Sequence, residues 1–222
     1  MNGELRVVDD VAVAFSDLVV AAYNDRPGGG FSMALSGGDT ARACYESLAA
    51  RAAAAIDWWQ VDFYWGDERC VPPDDPASNQ LLGRQALLER VGAANSVHPM
   101  RCGDGGVQEY QLLLGEVGEL DLVHLGLGPD GHTASLFPGS AALDADPGQL
   151  VTLNEDPNGR NPYQRMTLTL AAIARARLVV FTVAGVAKAE AMAAVYRGED
   201  LPASRVKAGS VVWLVDRDAA PV

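Results

Sequence analysis

The stretch FSMALSGGDTARACYESL, residues 31–48, contains the pattern that decides the fold. FSMAL is an apolar run of strand length, and the segment that begins at Thr40 carries Ala, Leu, Glu and Arg at helical spacing. Between them, Gly37 and Gly38 free the backbone for a tight turn. The stretch therefore predicts a buried strand that turns directly into a helix.

The same alternation recurs along the rest of the chain. Further apolar runs of strand length are LRVV, VDFYWG, DLVHLGLG, RLVVFTVAG and SVVWLVD, and helical composition covers residues 11–23, 40–55, 79–91, 107–117 and 186–196. Strands that alternate with helices predict an α/β fold, with a doubly wound, mainly parallel, Rossmann-like sheet covered by helices on both faces. With 222 residues and no repeat or linker, residues 1–222 are expected to form a single domain.

The charge balance restricts the partners of the protein. The formal net charge is -12, whereas a protein that binds nucleic acid or an anionic membrane needs a basic face. We therefore expect a small-molecule partner, no nucleic acid and no membrane. An anionic ligand would have to be held locally, by a few cations and by oriented backbone N–H groups. The N-terminus lacks the pattern of a secretion signal and no apolar run reaches spanning length, so the expected location is cytoplasmic.

The cysteines are expected to be reduced and structural. Cys44, Cys70 and Cys102 form no C-x-x-C pair, and their number is odd. This spacing suggests neither a disulfide framework nor a zinc site.

Three loops are longer than a simple connection, at residues 70–78, 138–148 and 154–163. Long loops in a compact domain are often functional. The last of the three is interpreted either as a mobile lid or as a plain surface loop.

Ligands of doubly wound sheets bind beyond the carboxyl ends of the strands, and three of these ends are rich in polar groups. The first is the SGGDT turn, where Gly37 and Gly38 allow close backbone approach and the helix N-terminus can bind an anion. The alternative is a tight turn with Asp39 or Thr40 as the helix N-cap. Because a carboxylate repels phosphate, Asp39 is expected to cap the helix or to accept a hydrogen bond from a sugar hydroxyl.

The second strand end carries Asp67, Glu68 and Arg69, directly after VDFYWG. One interpretation is a structural ion pair among these charges. The other places Arg69 near substrate oxyanions, with Asp67 orienting it or accepting a sugar hydroxyl. No histidine stands at ligand spacing from these carboxylates, so no metal site is expected.

The third strand end is GLGPDGHTASLFPGS, residues 126–140, which leads into what is predicted to be a short helix. Asp130 stands close enough to reach Nδ1 of His132, which would fix one tautomer and raise the basicity of the other ring nitrogen. The alternatives are a helix-capping Asp130 and a surface His132. His124, inside the strand, is expected in the core, and His98, beside a proline, at the surface.

Two cations complete the candidate site. Arg165 precedes TLTL, and Lys188 lies in the helix that follows RLVVFTVAG. Each is either an ordinary surface charge or part of the crevice that contains the Gly-Gly loop. In the crevice they would supply the positive potential that the acidic chain otherwise lacks.

The collected motifs resemble the 6-phosphogluconolactonase family, within the wider group that includes glucosamine-6-phosphate deaminase. The resemblance runs through nearly the whole chain. The segments that carry it are LSGGDTA, WGDERCVPPDDPASN, LGLGPDGHTASLFPGS, RMTLTLAAIARARLVVFTVAGVAKAEAM and LPASRVKAGSVVWLVDRDAA. The GDER and GHTASLFP segments are specific, whereas SGG alone is common.

The resemblance implies hydrolysis of 6-phospho-D-glucono-1,5-lactone, the second step of the oxidative pentose phosphate pathway, with no metal or organic cofactor. It implies that His132 deprotonates water, with Asp130 as its orienting neighbour, and that Arg69 and Asp67 form the polar wall around the sugar. The residues implied for the phosphate are Gly37, Gly38, Asp39, Thr40, Arg165 and Lys188. The family usually has a small hydroxyl residue where Asp39 stands. The expected oligomeric state is a monomer or weak homodimer.

Three other functions fit parts of this pattern. A related sugar-phosphate deaminase needs an acidic residue shortly after the GH motif, and TASLFPGSA contains none. A non-catalytic sugar-phosphate sensor normally carries a DNA-binding segment, and neither a helix-turn-helix extension nor a basic stripe is expected in this acidic chain. A metal-dependent lactonase is disfavoured by the ligand spacing.

Overall fold

The main element of the computed structural model, which describes residues 1–103 and 105–221, is a parallel seven-stranded sheet. In spatial order its strands are β1 (Glu4–Val7), β10 (Ser210–Val215), β9 (Leu178–Val183), β6 (Leu122–Gly126), β2 (Phe31–Leu35), β3 (Val61–Trp65) and β5 (Ser96–Val97). Every neighbouring pair is parallel. The strands β3 and β5 lie on one side of β2, and the strands β9 and β10 lie on the other side of β6. The predicted doubly wound α/β class is confirmed.

Helical elements follow the strands, as the sequence predicted. The α-helices are α1 (Val11–Asn24), α2 (Asp39–Arg51), α3 (Asn79–Gly83), α4 (Glu89–Val91), α5 (Gly106–Val117), α6 (Leu170–Ile173) and α7 (Ala189–Arg197). A π-helical turn, Arg84–Leu88, joins α3 to α4. Short 3₁₀ turns occupy Trp58–Gln60, Ala141–Asp144, Val186–Lys188 and Pro202–Arg205. Helix α2 ends before residue 55, the predicted limit, and no helix follows His132, where a short one was predicted.

A second, antiparallel sheet was not predicted. It consists of β4 (Asp67–Arg69), β8 (Arg165–Leu168) and β7 (Val151–Asn154), with β8 in the middle. It is tied to the end of β3, because the Leu168 N–H donates to the Gly66 carbonyl at 2.8 Å. The composition of β4 is entirely charged, and its partner lies about a hundred residues away along the chain. A charged strand shows no hydrophobic periodicity, and a distant partner cannot be recognised from local sequence. Only the tertiary fold brings these strands together.

The two histidines outside the Gly-rich loop differ in environment. His124 is fully buried in β6, where Nδ1 lies 2.8 Å from the Tyr45 hydroxyl and Nε2 lies 2.8 Å from Thr182 Oγ1. Burial lowers the pKa of His124 to about 3, so this side chain is a neutral bridge between α2, β6 and β9. The predicted core position is therefore confirmed. The surface position predicted for His98 is wrong, because its ring is half-buried and stacks on Tyr64.

The prediction of three reduced cysteines is wrong for two of them. Cys70 and Cys102 form a disulfide with an S–S distance of 2.09 Å, and Cys44 is free and buried. Cys70 follows β4 and Cys102 follows β5. Their spacing along the chain gives no sign of the pairing, because the fold alone places these two loops side by side.

We predict that loss of this disulfide lowers the free energy of unfolding by about 3–4 kcal/mol, because the bond closes a loop of 32 residues in the unfolded chain. The measurement is urea unfolding of the oxidised wild type and of Cys102→Ser. Reductant should shift the wild type toward the variant and leave the variant unchanged. An oxidised and a reduced wild type with the same midpoint would contradict the prediction.

Candidate functional site

The carboxyl ends of four neighbouring strands, β9, β6, β2 and β3, open into a cleft of about 270 Å³. β2 and β6 mark the point where the strand order reverses, which is where ligands bind in doubly wound sheets. The predicted residues that line the cleft are Gly37, Gly38, Asp67, Arg69, His132, Arg165 and Lys188. The structure therefore brings together residues from five separate segments of the chain.

The other three predicted residues lie beside the cleft. Asp130 stands behind His132, to which it is bonded. Asp39 and Thr40 line an adjoining pocket of about 320 Å³, which shares Gly37, Gly38 and Lys188 with the cleft. Lys188 thus faces both cavities.

His132 and Asp130 form a hydrogen-bonded pair. Asp130 Oδ1 lies 2.5 Å from His132 Nδ1 and also accepts the backbone N–H of His132 at 3.2 Å. The bond to His132 lowers the pKa of Asp130 to about 2, although burial opposes this, so the carboxylate is ionised at neutral pH. An ionised carboxylate at Nδ1 leaves Nε2 as the ring nitrogen able to act on a ligand.

Gly128 is required by the position of this imidazole. A Cβ at residue 128 would lie 2.1 Å from His132 Nδ1, closer than atoms can approach. The loop is closed by a hydrogen bond of 2.8 Å from the Gly128 N–H to the His132 carbonyl. The glycine therefore allows the histidine ring to rest directly against the backbone that follows β6.

The Gly-Gly turn differs from one of the two interpretations of the sequence, the turn in which Asp39 or Thr40 caps the helix. Gly38 is itself the N-cap of α2, with φ of 95°, and no side chain caps the helix. Asp39 is exposed, so the alternatives in which Asp39 or Thr40 caps the helix are wrong. The first N–H groups of α2 are therefore left available to a ligand.

The carboxylate of Asp67 connects three parts of the site. Its Oδ2 accepts a hydrogen bond of 2.6 Å from Ser135 Oγ, and its Oδ1 accepts one of 3.1 Å from Asn79 Nδ2. Oδ2 also lies 3.8 Å from Nη1 of Arg165. The ion pair predicted among Asp67, Glu68 and Arg69 is therefore wrong, because Asp67 pairs with Arg165 instead. Asp67 does not orient Arg69, whose Nη1 donates to the Ala77 carbonyl.

Glu68 has a structural role. It is buried and accepts four hydrogen bonds, from the backbone N–H groups of Arg69, Asn79 and Gln80 and from Ser78 Oγ. Burial raises the pKa of Glu68, and the N–H donors oppose this shift. Because two of the donors begin α3, Glu68 fixes the loop at residues 70–78 and the helix after it.

The two predicted cations are both withdrawn from solvent. Arg165 is 6% exposed, lies over the ring of Phe137, and its Nε has no hydrogen-bond partner among residues 1–103 and 105–221. Burial lowers the pKa of Lys188, and the charge of Asp130 opposes this. These residues are not ordinary surface charges, and they face the cleft.

Three residues of the site were missed in the sequence analysis. Asn79 and Asn161 line the cleft, and Ser135 binds Asp67. Asn79 ends the segment WGDERCVPPDDPASN and Ser135 lies in GHTASLFP, so the specific motifs themselves were the available signal. Asn161 comes from the loop at residues 154–163, where its N–H and Nδ2 donate to the Asp156 carboxylate. The lid remains a prediction.

Two negative findings apply to the part of the chain that the structure describes, residues 1–103 and 105–221. No group of three or more His, Cys, Asp and Glu side chains there is arranged to hold a metal ion. No helix there has both the length and the apolar character needed to cross a membrane.

Comparison with known proteins identifies the family. The model of the glucosamine-6-phosphate isomerases/6-phosphogluconolactonase family matches residues 4–213. The chain belongs to this family. A 6-phosphogluconolactonase of Mycobacterium tuberculosis is 38% identical over 236 residues, covering 92% of this chain and 94% of that protein. One from Synechocystis is 34% identical, covering 96% and 92%. The crystal structure of 6-phosphogluconolactonase from Thermotoga maritima has a TM-score of 0.85 at 27% identity, covering 96% of this chain and 99% of that one.

We predict that Gly128→Ala breaks the bond between His132 and Asp130, because the added methyl group occupies the position of the imidazole. The measurement is the low-field Nδ1 proton signal of ¹⁵N-labelled histidine by NMR. Gly126→Ala is the matched control, since a Cβ there meets no atom within 4 Å. If the Gly128→Ala protein keeps the wild-type signal, the space beside the imidazole does not require glycine at residue 128, and the prediction is wrong.

Proposed function

We propose that the chain is a 6-phosphogluconolactonase, which hydrolyses 6-phospho-D-glucono-1,5-lactone to 6-phosphogluconate in the oxidative pentose phosphate pathway. The observation that carries the proposal is the His132–Asp130 pair, which opens onto a cleft that also contains the buried Arg165 and the half-buried Lys188. The family membership and the names of the relatives support the same reaction. The substrate has a carbonyl that water activated by the base can attack, and it has a phosphate that the cations can bind.

His132 acts as the general base. Nε2 accepts a proton from water while the water oxygen bonds to C1 of the lactone, and the carbonyl electrons move onto oxygen. When the carbonyl re-forms, the bond between C1 and the ring oxygen breaks, and the imidazolium returns its proton to that oxygen. The ionised Asp130 stabilises the imidazolium and holds the ring in one orientation. The acid product then loses a proton to solvent.

The phosphate is held by Arg165, by Lys188 and by the first N–H groups of α2. Nε of Arg165 has no hydrogen-bond partner among residues 1–103 and 105–221. The ion pair of Arg165 with Asp67 spans 3.8 Å, too long for a hydrogen bond, so the guanidinium retains donors for a ligand. Lys188 and the start of α2 line the adjoining pocket, which shares Gly37, Gly38 and Lys188 with the cleft. Binding energy gained at the phosphate positions the carbonyl near His132.

The proposal needs neither metal nor organic cofactor, because a lactone carbonyl is already electrophilic and a neutral imidazole can activate water. The cytoplasmic location, the monomeric or weakly dimeric state and the single domain remain predictions.

Deaminase activity is the alternative within the same family. The segment after His132, TASLFPGSA, contains no acid for the proton transfers of that reaction. Its Ser135 is instead buried and bonded to Asp67. Release of ammonia from glucosamine 6-phosphate would favour the alternative.

We predict that His132→Ala lowers kcat for the lactone by about 10²–10⁴-fold, because general-base assistance is lost. Loss of lactone is followed after correction for spontaneous hydrolysis. His98→Ala is the matched control, since His98 lines a separate pocket. A folded His132→Ala enzyme with wild-type kcat would refute the role of His132.

We predict that Arg165→Gln raises KM for the phosphorylated lactone and the inhibition constant of inorganic phosphate by about 10- to 100-fold. The reason is the loss of charge-assisted hydrogen bonds to phosphate. The control is Arg205→Gln, an exposed arginine paired with Asp200, which should change neither constant. Equal phosphate inhibition of wild type and Arg165→Gln would exclude Arg165 from the phosphate site.

A further inference from the structure

Buried polar atoms without partners concentrate at the cleft. Among residues 1–103 and 105–221, seven buried side-chain atoms have no hydrogen-bond partner. Three of them belong to residues that line the cleft, namely Arg69, Asn79 and Arg165, and a fourth is Oδ2 of Asp130. Buried polar atoms are nearly always satisfied, so a cluster of exceptions marks a place where a ligand supplies the partners. Asn79 Oδ1 is the neutral acceptor in this cluster.

The orientation of the Asn79 amide is fixed by its neighbours. Nδ2 donates to the backbone carbonyl of Asp67 at 2.9 Å and to Asp67 Oδ1 at 3.1 Å. Both partners are acceptors, so the amide nitrogen must face them and the amide oxygen must face away. The Asn79 backbone N–H is also held, by Glu68 Oε1 at 2.7 Å. The side chain is 1% exposed and cannot rotate without losing these bonds.

Oδ1 is directed toward the Gly-Gly turn at the wall of the cleft. A Cβ at residue 37 would lie 1.8 Å from this oxygen, so the absence of a side chain at Gly37 provides the space that Oδ1 occupies. Gly37 and Asn79 line the cleft together with His132. The unpartnered Oδ1 therefore lies buried against the Gly37 backbone, in the wall of the chamber that contains the proposed general base.

We propose that Asn79 is a specificity-determining residue whose Oδ1 accepts a hydrogen bond from one ring hydroxyl of the sugar-phosphate lactone. This inference rests on the proposed lactonase function. An amide oxygen has no proton to donate, so it does not attract the phosphate or the lactone carbonyl, both of which are acceptors. The hydroxyls at C2, C3 and C4 are the donors that the substrate offers.

The role gives a discrimination that can be measured. When the substrate lacks the matching hydroxyl, Oδ1 is buried without a donor, and the cost appears in the transition state as well as in binding. We expect the wild type to disfavour one of the 2-, 3- and 4-deoxy lactones by roughly 10- to 100-fold in kcat/KM relative to the other two.

The experiment is a double-mutant cycle in which residue 79 of the enzyme and one hydroxyl of the substrate are changed separately and together. The kcat/KM values of wild type and Asn79→Ala are measured with the parent lactone and with the three deoxy lactones. The variant is expected to lose the discrimination against the one deoxy lactone. Asn95→Ala, the same change at an exposed asparagine outside the cleft whose Nδ2 donates to Asp62, is the matched control and should retain it. If Asn79→Ala does not fold, Asn79→Ser completes the cycle, since serine is compatible with the first turn of α3.

The outcomes separate the two proposals. A uniform loss on all four lactones would mean that Asn79 acts only through Asp67, and would overturn the inference while leaving the lactonase function intact. A wild type that does not discriminate among the deoxy lactones would overturn it equally. A wild type that is inactive on the parent lactone would overturn the proposed function itself, and this inference with it.

Discussion

The buried carboxylate of Asp67 is the constraint on which the arrangement of the site depends. It begins β4 and is bonded to Ser135 from the loop after β6 and to Asn79 at the start of α3. It also attracts Arg165 from β8. A buried charge is costly unless it is hydrogen-bonded and paired, so these segments are held together by the need to satisfy one group. The small antiparallel sheet and the end of the main sheet are thereby fixed relative to each other.

The charge distribution around the cleft opposes the charge of the whole chain. The net charge is -12, yet Arg69, Arg165 and Lys188 all line one cavity. The burial of Arg165 and the partial burial of Arg69 and Lys188 weaken the screening of these cations by solvent, which strengthens their attraction for an anion over a short distance. The predicted absence of nucleic-acid and membrane partners and the proposed local binding of a phosphate are therefore compatible.

The hydrogen-bond acceptors of the cleft have different partners. Asp130 is hydrogen-bonded to His132, and Asp67 is hydrogen-bonded to Ser135 and Asn79. The amide oxygen of Asn79 is an acceptor without a donor among residues 1–103 and 105–221. Glycines at residues 37 and 128 allow Asn79 and His132 to approach the backbone. In the proposed function, the neutral and immobile amide oxygen of Asn79 adds specificity for a polyhydroxylated ring to a site that already contains a base and cations.

The sequence by itself determined the α/β class, the strands of the main sheet other than the two-residue β5, and the segments that meet at their carboxyl ends. These follow from local periodicity and from the rule that parallel strands end at one edge. It also offered the His132–Asp130 pair as one interpretation, because the two residues are only two positions apart, but a helix-capping Asp130 and a surface His132 remained open. Only the tertiary structure decided the partner of Asp67, the second sheet, the Cys70–Cys102 bond and the orientation of Asn79. Each of these joins residues ten or more positions apart, and such contacts are selected by packing and by the satisfaction of buried polar groups, which leave no period in the sequence.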